Sequence, residues 1–196
     1  MQDELDLIRR ANGGDRRAFD ELVKLKRERV VRTAYQITGD LDDALDVAQG
    51  VFLKLWQGLE RFDLLRRFDT WLYRITVNAA IDLLRSRPAK GTIQPLPEET
   101  IAPAGIGDPD RALDLAELQQ AFSKLARGLA PQQRATFVLR EIEGLSTSEV
   151  AAVLGVAEST VRNHLLQARR VLRAGLRRDY PGWVPAGADD DEEPAS

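Results

Sequence analysis

Between Ser159 and Arg178 the chain carries six arginines, no acidic residue and its single histidine. Val161, Leu165, Ala168 and Leu172 recur there at spacings of four, three and four, the period of a helix that buries one face. The other side then presents Ser159, Thr160, Arg162, Asn163, Gln167 and Arg170. Arginine forks onto guanine in a major groove, and asparagine or glutamine onto adenine. Hydroxyls and unbonded amides at a helix start hold phosphate, which suits Ser159 and Thr160. Arg169, Arg173, Arg177 and Arg178 add attraction to a nucleic-acid backbone. The competing reading is an ordinary solvated arginine-rich helix. The short helix and glycine turn that precede it favour the DNA reading.

A second cluster lies at residues 61–87, where Phe62, Phe68, Trp71 and Tyr73 alternate with six arginines and three aspartates. Aromatic faces stack unpaired bases while arginines neutralise phosphate. Trp71 and Tyr73 also lie near an apolar stripe, so core packing is an equal reading for each. A third cluster is acidic. Thr33 to Leu53 holds Asp40, Asp42, Asp43 and Asp46 and no base, and residues 189–193 read DDDEE. Net charge is only −3, yet opposite charges sit in separate blocks, which points to different partners for different segments.

Other chemistries are poorly supplied. With no cysteine, disulfides and thiolate catalysis are excluded. His164, the one histidine, has no flanking partners for a metal site or a triad and reads as a polar surface or backbone-contact residue. No metal, cofactor or catalytic site is expected. No run approaches 18 apolar residues, and the acidic start MQDELDLIRR lacks a signal-peptide pattern, so the expectation is a cytoplasmic protein without membrane insertion.

These residues must be held by helices. Apolar spacing predicts helices over 3–11, 15–37, 41–59 and 69–86, with Leu72, Ile75, Ala79 and Leu83 inward in the last. NGGD and TGD interrupt them. Residues 86–112 hold five of the nine prolines and read as an extended linker. Beyond it, Leu115, Leu118, Phe122, Leu125 and Leu129 form a stripe. Pro131 opens a helix with Val138, Leu139 and Ile142 inward. Ser146 with Glu149 forms a capping box, Gly155 ends that helix, and a three-residue turn leads into the arginine helix, the helix-turn-helix pattern. No strand is predicted. The fold class is all-α, with two small helical domains.

Taken in order, GDRRAFDELV, GDLDDALDVAQGVFLKLW, FDTWLYRITVNAAIDLLR and LREIEGLSTSEVAAVLGVAESTVRNHLLQARRVLR resemble the extracytoplasmic-function sigma factors of the sigma-70 family over nearly the whole chain. The resemblance implies a region 2 domain at 1–87, a linker at 88–112, a region 4 domain at 113–180 and an acidic disordered tail at 181–196. It implies that Asp42, Asp43, Asp46, Gln49, Phe52, Leu53 and Trp56 dock on the β′ coiled-coil of core RNA polymerase, and that the β flap is a further contact. Leu65, Arg66, Arg67, Phe68, Asp69 and Trp71 would capture the minus-ten element, with Asn78, Asp82 and Arg85 beside them. Ser159, Thr160, Arg162, Asn163, Leu166, Gln167 and Arg170 would read the minus-thirty-five element. An anti-sigma factor is the implied regulator, and a monomer is expected when the chain is free. Four positions depart from the family pattern: Gly50 in the docking helix, Lys26 where an aromatic is common, VAES in the turn, with Ser159 or Glu158 as the expected cap, and Asn163–His164 in the reading helix. The alternatives are a stand-alone helix-turn-helix regulator and a helical protein-interaction adaptor.

Overall fold

The computed structural model describes residues 2–86, 117–118 and 120–183. The linker at 88–112 and residues 184–196 lie outside these residues, whereas Pro181–Trp183, expected as the start of a disordered tail, form a short 3-10 helix with Trp183 packed on Tyr180. Every regular element among the described residues is helical.

Helices α1 (Gln2–Asn12), α2 (Arg16–Thr38), α3 (Leu41–Leu59) and α4 (Phe68–Ser86) pack as one bundle. Their ends follow from local chemistry. Asp15 caps α2 by accepting from the amides of Arg17 and Ala18, and Arg10 donates to the same carboxylate at 2.7 Å. Gly39 ends α2 at φ +75, and Asp40 caps α3 by accepting from the Asp43 amide. Asn12 donates to the carbonyls of Leu59 and Phe62, fixing the end of α3 against the α1–α2 turn. The bundle core is built on Leu22, Val30, Ile37, Val51, Leu55, Leu59 and Val77.

The second unit begins with α5 (residues 120–125), then α6 (Pro131–Phe137), α7 (Thr147–Leu154) and α8 (Glu158–Asp179). The predicted capping box is present: Ser146 Oγ accepts from the Glu149 amide, and Glu149 Oε2 accepts from the Ser146 amide. Gly155 ends α7 at φ +67. Gly175, buried in α8, leaves room for Leu125, whose Cδ2 would lie 2.5 Å from an added Cβ. Two expectations fail here. The helix from Pro131 closes in a π-type turn, Val138–Ile142, with Glu143 donating to the Val138 carbonyl. That wider turn rotates Ile142 outward, so it is exposed rather than inward. The cap of α8 is Ala157, with no side-chain hydrogen bond, so neither Ser159 nor Glu158 caps it.

The two units share one core. Helix α4 packs against α6 and α7, and α2 meets α6 and the π turn. Ala135, Val138, Leu139, Val150 and Val153 join the apolar cluster of the first bundle. The seam also carries polar ties. Glu143 accepts from Thr33 at 2.8 Å and from Tyr73 at 2.7 Å, and Arg134 Nε donates to the Gln36 carbonyl at 2.8 Å. Arg134 lies beneath Gly39, where a Cβ would fall 2.9 Å from its Nη2. Burial pushes the Arg134 guanidinium down to about 10, with the charge of Arg127 acting in the same sense.

Candidate nucleic-acid and polymerase interfaces

The loop between α3 and α4 is built around Asp63, whose side chain accepts from the Leu65 amide and whose carbonyl accepts from the Arg66 amide. This turn projects Leu65 into solvent at 95% exposure, with Arg66 and Arg67 exposed beside it. Behind the loop, Phe62 stacks on Trp71 with ring centroids 4.7 Å apart, and Phe68 meets both rings edge-on. Gly58 admits Trp71, since a Cβ there would sit 3.2 Å from the indole. The loop thus presents one apolar tip and two guanidiniums on an aromatic base.

Two expected loop residues face elsewhere. Phe68 is buried in the core and offers no open face to a base. Asp69, at the first turn of α4, accepts from Lys26 at 2.8 Å and pairs with Arg29 at 3.3 Å. Burial pushes its carboxyl up, but the hydrogen bond and the charges of Lys26 and Arg29 outweigh that and hold it below the ordinary carboxylate value. Lys26, where an aromatic is common in the family, is itself buried and also pairs with Glu4 at 2.7 Å. Arg67 is tied across the seam to Glu149 of the α7 capping box.

On α4, Asn78, Asp82 and Arg85 are exposed. Arg74 is exposed too, one turn before Asn78, and extends the same stripe. The spacing to Asn78 is the sequence signal that would have found it. On α3, Asp42, Asp46, Gln49, Leu53 and Trp56 are exposed and Phe52 is half-buried. Trp56 leans on Phe19, with centroids 4.8 Å apart. Asp43 departs from the expected polymerase-facing set: it is turned inward and buried at the start of α3.

On α8, Val161, Ala168 and Leu172 are buried, while Ser159, Arg162, Asn163, Leu166 and Arg170 are exposed and Thr160 and Gln167 half-buried. Arg162 pairs with Glu158 one turn back at 3.6 Å. His164 sits on the side facing α6, its Nδ1 3.5 Å from Thr136 Oγ1. Among the described residues no cluster of potential metal ligands occurs, and no helix is long and apolar enough to cross a membrane.

The Sigma-70 region 2 family matches residues 22–89, and the Sigma-70, region 4 family matches residues 119–172. The ECF RNA polymerase sigma-E factor of Escherichia coli is 31% identical over 85% of this chain and 90% of its own length. The ECF RNA polymerase sigma factor SigE of Mycolicibacterium smegmatis is 35% identical over 82% of this chain, which spans 62% of that relative's length. The fold is also similar to the solved structure of CnrH in complex with the cytosolic domain of CnrY. The TM-score is 0.63 and the identity 30%, over 90% of this chain and 99% of that one. The chain belongs to the extracytoplasmic-function RNA polymerase sigma factors of the sigma-70 family. Its role is that of a transcription initiation factor.

Proposed function

We propose that residues 1–87 dock on core RNA polymerase and open the minus-ten element, while residues 113–180 hold the minus-thirty-five duplex. The single observation that carries this is the pairing of two surfaces. An exposed apolar–arginine loop stands next to the Asn78 stripe on one unit, and an outward polar face covers the first half of α8 on the other. Asp42, Asp46, Gln49, Leu53 and Trp56 meet the β′ coiled-coil, with Phe52 supporting them from a half-buried position. The second unit has the β flap as its further contact. Leu65 and Trp71 flank the captured base, Arg66 and Arg67 neutralise the backbone, and Asn78, Asp82, Arg85 and Arg74 line the strand. Asp43, Phe68 and Asp69 serve packing and positioning. Arg162, Asn163, Leu166 and Gln167 read base edges, with Ser159, Thr160 and Arg170 on phosphate.

Each unit alone holds DNA weakly, and tethering makes the second contact intramolecular. An anti-sigma protein that covers or parts the units abolishes simultaneous engagement. That CnrH is held by the cytosolic domain of another protein supports such a regulator. The chain works in the cytoplasm, as a monomer when free, and performs no catalysis of its own. Run-off transcription with purified core polymerase on a promoter library tests the reading. Initiation that depends on this chain is expected, and its absence from every promoter rejects it.

A further inference from the structure

Helix α8 carries a stripe of arginines along one side. Arg162, Arg169, Arg173 and Arg177 follow at spacings of seven, four and four, and therefore lie along one side of the helix, with Arg170 adjacent. Arg169 pairs with Glu141 at 2.8 Å and Arg162 loosely with Glu158 at 3.6 Å. Arg170 and Arg173 have no carboxylate partner among the described residues. Beside Arg169 and Arg173 an open, largely apolar groove of about 650 Å³ runs between α8, α5 and α2, with Phe122, Leu172, Leu176 and Trp183 on its lining and Glu141 beside the two arginines. Trp183, packed on Tyr180 with centroids 5.0 Å apart, is the last described residue. Trp183 thus stands on the lining of this groove, and six residues further along the sequence come Asp189, Asp190, Asp191, Glu192 and Glu193.

We infer that the acidic segment 189–193 lies on the α8 arginine stripe and competes with duplex DNA for it. This inference rests on the reading of α8 as the duplex-binding helix. Reach permits it. The stripe runs back from Asp179 to Arg162 over 17 residues, about 26 Å along the helix axis. Residues 184–190 span up to roughly 24 Å when extended, so the five acids can lie over Arg173, Arg169 and Arg170 and approach Arg162. The segment carries five negative charges; of the arginines facing it, Arg162, Arg169 and Arg178 are shared with Glu158, Glu141 and Asp179, and Arg170 and Arg173 are open to it. Five carboxylates in a row offer the guanidiniums the same hydrogen-bond acceptors as a phosphate backbone. Duplex DNA must then displace the segment, which lowers affinity for short, non-specific contacts more than for a promoter held at two elements.

The test uses the full chain in two forms, native and with Asp189→Asn, Asp190→Asn, Asp191→Asn, Glu192→Gln and Glu193→Gln together. Fluorescence anisotropy with a 30-base-pair duplex is read at salt concentrations from about 50 to 300 mM, where phosphate contacts weaken strongly. The neutral form is expected to bind at least threefold tighter at the lowest salt, with a steeper salt dependence, because in the native chain the displaced carboxylates take cations back up and cancel part of the release from the DNA. Equal affinity within 1.5-fold overturns the inference while leaving the duplex-binding reading intact. Failure of both forms to bind overturns both.

A second measurement needs no DNA and separates docking from simple repulsion between the acids and the duplex. The chain has no cysteine, so Asp190→Cys takes a single spin label. Paramagnetic broadening of amides in residues 162–173 that disappears at high salt is expected. Broadening no stronger there than in α1 overturns the inference whatever the anisotropy shows.

Discussion

The Tyr73 hydroxyl donates to Glu143 Oε2 at 2.7 Å, so a helix of the first unit is fastened to the turn that closes α6 in the second. The same carboxylate accepts from Thr33 Oγ1 at 2.8 Å, and one side chain therefore holds both α2 and α4. Burial raises the Tyr73 phenol well above its ordinary value, and the negative charge of Glu143 adds to that, so the hydroxyl stays a donor throughout the physiological range. Around this tie the seam is apolar, with Val77 and Ala80 of α4 and Val138 and Leu139 of the second unit all buried.

Replacing Glu143 by Ala leaves two hydroxyls at the seam without their acceptor, a loss of about 1–3 kcal/mol. The Glu143→Ala chain should have a lower urea midpoint and a larger radius of gyration by small-angle scattering. Glu143→Gln, which keeps an acceptor, should fall between it and the native chain. An unchanged radius and midpoint for Glu143→Ala would show that the tie contributes nothing to the packing of the two units.

The Lys26–Asp69 pair sets an acid dependence. The Asp69 carboxyl is held below its unfolded value, so its contribution to stability is present above the unfolded value, about 3.9, and is lost as pH falls through the folded one. Urea denaturation should therefore show a native advantage over Asp69→Asn at pH 6 that shrinks below about pH 4. A difference that stays constant from pH 6 to pH 3 contradicts the pairing.

Gly50 sits within α3, and a Cβ built there meets nothing within 4 Å. Glycine in a helix interior costs about 1 kcal/mol relative to alanine. Gly50→Ala should raise stability by about that amount and the thermal midpoint by roughly 2–6 °C, read by differential scanning calorimetry. A lowered midpoint would mean that this backbone position serves something other than a helix.

Much of this architecture was legible in the sequence, because the helices of the bundle and the helix-turn-helix carry their own stop signals. Asp15, Gly39, Asp40, Ser146 with Glu149, and Gly155 each set a boundary by bonds to nearby backbone or by a left-handed conformation. What stayed hidden depends on residues far apart in the chain. Lys26 is drawn inward by Asp69, 43 residues away, so a charge sits where an apolar side chain is the simpler expectation. Asp43 has the same side chain as the exposed Asp42 and Asp46, and Phe68 stands next to the exposed Arg66 and Arg67, so only the packing of α2, α3 and α4 turns the two inward. The π turn at Val138–Ile142 keeps the apolar content of an ordinary helix while changing its phase, which is why Ile142 alone of its set faces out. The polar ties at Thr33, Tyr73 and Glu143 left no pattern at all, since each is a lone residue on its own element.

The division of labour between the units makes a prediction that separates Asn78 from Arg162. Both are exposed, on α4 and α8 respectively, and substitution of either leaves the cores untouched. On the proposed assignment, losing Arg162 removes a base-edge contact to duplex, about 1–3 kcal/mol. On the same assignment, losing Asn78 removes a contact made only once the strands part. The most direct measurement is permanganate reactivity of minus-ten thymines in promoter complexes of the holoenzyme, scored against promoter occupancy on the same samples. With Asn78→Ala, occupancy should persist while reactivity per bound complex falls several-fold. With Arg162→Ala, occupancy should fall while reactivity per bound complex holds. Equal losses in both quantities for both variants, or full reactivity with Asn78→Ala, would contradict the assignment of strand opening to the first unit and duplex reading to the second.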